Sequence, residues 1–117
     1  MRRSARHIEE FITVVVRVLF PVNAADIEGL KKKMLETAPK YEGLDGLTRK
    51  YYVLTEDGSH GGGIYLWESR EKAEAWYNAD WKKYMTEAWG QEPLLEYLDC
   101  PIVVDNETNN TTSKVAA

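Results

Sequence analysis

The chain has 117 residues, of which 44% belong to the set AVILMFWYC, enough for one compact domain around one core and too few for two ordinary ones. Its 15 Lys and Arg against 19 Asp and Glu leave a net charge of -4 and a pI near 5.2, the wrong sign for a surface that must neutralise phosphates, so no nucleic-acid partner is expected. One cysteine and two histidines supply neither an internal disulfide nor a structural zinc site; a reducing, cytoplasmic setting without bound metal is the expectation.

Residues 1–10 read as an N-terminal arm. Arg2, Arg3 and Arg6 precede an apolar run, but Glu9, Glu10 and Arg17 break the pattern of a secretory signal. No stretch approaches the ~20 apolar residues of a membrane-spanning helix, and no membrane partner is expected. Phe11 to Phe20 (FITVVVRVLF) is apolar on both parities: Ile12, Val14, Val16, Val18 and Phe20 fall on one side, Phe11, Val15 and Leu19 with Thr13 and Arg17 on the other. That pattern predicts a strand covered on both faces. Asn23 is a helix cap, and Ile27, Leu30, Met34, Leu35 and Ala38 form one helical stripe that Pro39 ends. A glycine-punctuated loop, Tyr41 to Gly46, follows.

Leu47 to Glu56 and Gly62 to Glu68 are strand-like runs joined by Asp57-Gly58-Ser59-His60-Gly61, a hairpin signal. Ser69 caps a helix carrying Ala73, Trp76 and Tyr77; Asn78-Ala79-Asp80 breaks or recaps it, and Trp81, Tyr84, Met85, Ala88 and Trp89 share a face before Gly90. Leu94 to Asp99 and Ile102 to Val104 read as one last strand bent at Pro101. From Asp105 on, the polar, aperiodic DNETNNTTSKVAA predicts a mobile tail, with 106–117 outside the domain; its three N-glycosylation matches, Asn106, Asn109 and Asn110, read as accidents of composition.

The resulting order is β-α-β-β-α-β, an α+β, ferredoxin-like arrangement over residues 11–105 with a four-stranded antiparallel sheet and both helical regions on one face. The other face needs cover, and a second copy pressed sheet to sheet would supply it as a homodimer.

The segment Gly62-Gly63-Ile64-Tyr65-Leu66-Trp67-Glu68-Ser69 with its Ala-rich helix, Ala38-Pro39-Lys40-Tyr41, and Glu96-Tyr97 leading to Val103-Val104-Asp105-Asn106 resembles the YdhR-type mono-oxygenases. These belong to the dimeric α+β barrel superfamily that also holds the antibiotic-biosynthesis mono-oxygenases. The resemblance covers Ile12 to Asn106 and implies a homodimer whose subunit cavities hold a small aromatic substrate. It also implies oxygen activation by deprotonation of an electron-rich phenol, with no cofactor. Trp67 matches the strand tryptophan of those relatives. The asparagine that quinone-forming members place four residues earlier is Gly63 here. The asparagine and histidine of haem-degrading members are absent from Phe11 to Phe20 and from Ser69 to Trp89, which disfavours haem degradation.

A phenol-oxidising site needs a group that favours the phenolate, aromatic walls and exclusion of water. Nine of the 13 aromatic residues lie on the central hairpin and the second helical region, and Tyr and Trp outnumber Phe eleven to two, so hydroxyl and indole groups need partners that a polar-lined pocket would provide. Trp67, His60 and Arg17 are the candidate catalytic residues. Tyr51, Tyr65, Trp76, Tyr77 and Trp89 are the candidate substrate-binding residues. Tyr65 and Trp67 share a strand face, expected to meet Trp76 or Tyr77. His60 offers the one imidazole inside the domain for acid–base work but sits in a hairpin tip. Arg17, inside an apolar strand, needs a carboxylate such as Glu68 or Glu96, or an anionic substrate. The function expected is oxidation of a small quinol-type aromatic by O2; the alternatives are a non-catalytic small-ligand binder and a polyketide cyclase-like enzyme.

Overall fold

The computed structural model describes residues 12–114; the expected arm at 1–10 and Phe11 lie outside them, as do the last three residues. β1 (Val14–Pro21) alternates buried and half-buried positions over its whole length. Val14, Val16, Val18 and Phe20 are buried, while Val15, Arg17 and Leu19 are half-buried. The period of two thus sends one set beneath the helices and leaves the other open. Ile12 is buried as well, and the Thr13 N–H donates to the Trp67 carbonyl at 2.9 Å, which carries the pairing past the end of the strand.

The Asn23 side chain accepts from the Ala25 N–H at 3.0 Å and caps a 3₁₀ turn, Ala24–Asp26. Asp26 then caps α1 (Ile27–Thr37), accepting from the Gly29 N–H at 3.1 Å. Two short polar side chains therefore satisfy successive donors of one helix entry. Leu30 is buried under α1. Leu35, expected on the same stripe, is 75% exposed, because it lies one residue step round the helix from Met34 and points beside the sheet rather than onto it. Pro39 stands in a 3₁₀ turn, Ala38–Tyr41, that ends the helical run.

β2 (Leu47–Leu54) and β3 (His60–Trp67) form the expected hairpin. At its tip Gly58 takes φ +74°, a left-handed conformation that a side chain would strain. Ser69 and Asn78 cap two separate helices, α2 (Arg70–Trp76) and α3 (Ala79–Trp89), and α3 stops at Gly90 with φ +85°. β4 (Leu94–Asp99) completes an antiparallel sheet of order β2-β3-β1-β4. The fold is α+β and ferredoxin-like, with Ala73, Tyr77 and Trp81 packed onto Val14, Val16, Val18, Tyr65 and Trp67. Among the described residues no helix is long and apolar enough to cross a membrane.

Two expectations are corrected. The stretch from Leu94 to Val104 is not one bent strand: the Cys100 N–H donates to the Thr13 carbonyl at 2.9 Å, and Pro101, which has no N–H to give, turns the chain out of the sheet. β5 (Ile102–Asp105) then pairs with β6 (Asn110–Ser113) as a separate two-stranded ribbon. Ordered hairpin thus occupies positions where composition predicts a tail. Asp105 closes its turn by accepting from the Glu107 N–H at 3.0 Å, and threonines at 111 and 112 suit an extended chain whatever their polarity.

Candidate functional site

The inward face of the sheet carries a gap. β1 and β3 pair Val16 with Tyr65, Val18 with Gly63 and Phe20 with Gly61, so two successive inward positions of β3 have no side chain. A Cβ at Gly63 would come within 2.9 Å of the Tyr65 ring and 3.1 Å of the Lys50 stem. The missing side chain is what lets those two groups lie over the strand. Above them, α1 and α3 enclose a cavity of about 300 Å³ lined by Phe20, Met34, Tyr52, Tyr65 and Trp89, with Lys50 at its floor.

The walls are tied together. Phe20 and Trp89 stack with ring centroids 4.2 Å apart, joining β1 to α3. The Thr37 hydroxyl donates to the Met34 carbonyl at 2.8 Å, so its one proton is used, and the Tyr52 hydroxyl donates to Thr37 Oγ1 at 2.7 Å. That bond links β2 to α1. Behind Tyr65, Tyr77 meets it edge-on at 5.4 Å, and Trp67 Nε1 donates to the Tyr77 hydroxyl at 3.1 Å. Burial raises the pKa of Tyr65, Tyr77, Tyr41 and Tyr52. These phenols keep their protons at neutral pH and act as hydrogen-bonding walls, not as bases.

Lys50 behaves in the opposite sense. It faces Tyr65 across the β2–β3 pairing, and its Nζ lies 3.6 Å from the Tyr41 ring centroid, 3.7 Å from that of Tyr52 and 4.8 Å from that of Tyr65. Burial, and then the charge of Lys40, lower its pKa to about 7. A half-charged amine held against aromatic rings is a proton acceptor at neutral pH.

The sequence candidates divide. Tyr65 and Trp89 line the cavity; Trp67 and Tyr77 stand behind Tyr65, on the helix-facing side expected for Tyr65 and Trp67. Trp76 packs edge-on against Tyr41 at 5.5 Å, and its buried Nε1 has no partner among the described residues. The other three lie elsewhere. Tyr51 has the opposite parity and is exposed in a second cleft, of about 350 Å³, between β2 and the β5–β6 ribbon. Arg17 points to the outer face, where Nε meets Glu96 Oε1 at 2.9 Å, the carboxylate partnership anticipated for it. His60 is exposed at the hairpin tip, its Nδ1 2.8 Å from Ser59 Oγ. Lys50 and Tyr41 are the cavity residues that sequence reasoning missed; strand parity held the signal, since Lys50 shares a face with Tyr52. Among the described residues no three or more His, Cys, Asp or Glu side chains are grouped to hold a metal ion.

No family model matches the chain, and no curated protein matches it. Solved structures do. A protein of unknown function from Nitrosomonas europaea, NE2512, superposes with a TM-score of 0.62 at 12% identity, covering 78% of this chain and 91% of that one. The mono-oxygenase from the gene ActVA-Orf6 of Streptomyces coelicolor, crystallised with nanaomycin D, superposes with a TM-score of 0.60 at 19% identity, covering 76% and 88%. At these identities the likeness is one of fold.

Proposed function

We propose that the protein is a mono-oxygenase of a small hydroxylated planar aromatic, held in the cavity between the sheet and helices α1 and α3. The observation that carries this reading is the aromatic-walled cavity of about 300 Å³, within the range small-molecule sites use, on a fold shared with a mono-oxygenase that was crystallised with the ligand nanaomycin D. By the YdhR-type resemblance the substrate supplies the electrons itself. For an anthrone, one atom of O2 becomes the new carbonyl oxygen and the other leaves as water with the two methylene hydrogens, so no outside reductant enters.

The assembly belongs to the same proposal. The outer face of the sheet presents Val15, Leu19, Ile64, Leu66, Leu94 and Leu98 around the Arg17–Glu96 pair, with Leu94 and Leu98 48% and 44% exposed. A second copy packed sheet to sheet would bury this patch.

Oxygen uptake with a panel of anthrones and hydroquinones tests the chemistry. Uptake tied to quinone formation supports the reading. Tight binding of the panel without uptake would instead mark a small-molecule binder.

A further inference from the structure

The charges around the cavity are one-sided. Lys33, Lys40 and Lys50 line it against a single acid, Glu36. Among the described residues none of the three lysines makes an ion pair. Each faces a ring instead: Lys33 lies 5.3 Å from Trp89, Lys40 5.2 Å from Tyr84, and Lys50 sits between Tyr41 and Tyr52. Ring faces attract cations, but they leave N–H donors free for an acceptor that arrives later. Lys33 and Lys40 are exposed near the mouth, whereas Lys50 is half-buried at the floor.

We propose that Lys50 is the residue that takes the phenolic proton of the bound substrate and holds the resulting phenolate, so that the cavity selects aromatics carrying an acidic hydroxyl. This deepens the mono-oxygenase reading and rests on the cavity being its substrate site. In the step, the lone pair of the neutral Lys50 amine bonds to the hydroxyl proton, the O–H pair stays on oxygen, and the product is an ammonium–phenolate pair. Nothing is gained or lost overall. The phenolate is the electron-rich form that can reduce O2.

The groups facing Lys50 favour this direction. Tyr41, Tyr52 and Tyr65 keep their own protons; Tyr52 spends its on Thr37 and Tyr65 spends its on Tyr41, which leaves the Tyr41 hydroxyl to donate to the phenolate oxygen. From α1 and the 3₁₀ turn Lys33 and Lys40 add positive charge, opposed by Glu36, while α3 contributes the Tyr84 ring. Once an oxyanion is in place, the forces that lower the pKa of Lys50 are offset by its attraction, and the proton stays on nitrogen.

The test is titration of the full chain at slightly alkaline pH with 2-naphthol, whose phenol and phenolate absorb at different wavelengths, and with 2-methoxynaphthalene, which has no proton to give. The wild type should bind 2-naphthol about tenfold or more tighter than the ether, show the phenolate band when bound, and release no proton to an indicator dye. Lys50→Met should bind the two probes alike, without that band. Lys50→Arg, whose guanidinium enters already charged, should show the band but release one proton per 2-naphthol bound. Equal binding of both probes by the wild type without the band, or proton release matching that of Lys50→Arg, overturns the role of Lys50 and leaves the cavity as a site. Binding of neither probe overturns it together with the substrate-site reading.

Discussion

Trp67 donates its indole N–H to the Tyr77 hydroxyl at 3.1 Å, and both side chains are buried, Trp67 completely. The bond crosses from β3 to the end of α2 and fixes the ring against which Tyr65, a wall of the cavity, packs edge-on. Tyr77→Phe keeps the ring and strands the indole N–H in a dry interior, so a loss of about 1–3 kcal/mol is expected in urea unfolding. Trp67→Phe with Tyr77→Phe removes both polar groups, and its loss should be smaller than the sum of the two single losses. Additive losses would mean the two groups are not coupled.

Stability should depend on pH through Lys50. Its folded pKa is lowered to about 7 from an ordinary value of 10.5, so between those values the unfolded chain binds more protons than the folded one. The unfolding free energy then rises with pH across that window, and the penalty is full below it. Thermal unfolding of the wild type and Lys50→Met from acid to mildly alkaline pH checks this: the Tm of Lys50→Met relative to wild type should be highest at the acid end and fall as pH rises. A constant difference would place the Lys50 amine in water.

Gly62 and Gly63 should fail in different ways. A Cβ at Gly62 would fall 1.8 Å from the Val18 carbonyl oxygen, a backbone atom of the adjacent strand that cannot step aside, whereas a Cβ at Gly63 meets the movable Tyr65 ring and Lys50 stem. Gly62→Ala is expected to cost more than about 4 kcal/mol or to prevent folding. Gly63→Ala should cost about 1–3 kcal/mol by overpacking, and weaken 2-naphthol binding by displacing the cavity floor. Circular dichroism with urea unfolding separates the two.

The proposed sheet-to-sheet homodimer predicts a sedimenting species of twice the 13.4 kDa protomer mass. Leu98→Asp, a charge on the exposed β4 side of the outer patch, should give the single protomer with its fold intact. Arg17→Met and Glu96→Leu together should dimerise at least as well as the wild type, since side chains 42% exposed in one protomer gain little from each other in water and lose hydration when covered. A wild-type protein that stays monomeric at high concentration would remove the dimer from the proposal.

His60→Ala should leave oxygen uptake and 2-naphthol binding within about twofold of wild type, because His60 contacts Ser59 in the exposed hairpin tip and lines no wall of the cavity. A loss of activity beyond tenfold would move the reacting atoms to the tip.

Local rules determined much of this protein. The alternation in β1, the caps at Asn23, Ser69 and Asn78, the glycine at the hairpin tip and the order of elements are each set by residues within a few positions of one another, so they were legible in the sequence along with the ferredoxin-like topology. The partnership of Arg17 with a carboxylate also followed, since a guanidinium in an apolar strand needs one. Composition misjudged 105–113, because a polar ribbon is held by backbone pairing that residue polarity does not report. What only the tertiary structure decided was which parity meets the helices, and with it the membership of the site. That choice put Tyr51 and Arg17 outside, left His60 at the tip, and brought Lys50 under Tyr41, a residue from another element. Strand periodicity is symmetric between two faces, and only the packing of α1 and α3 over one of them breaks that symmetry.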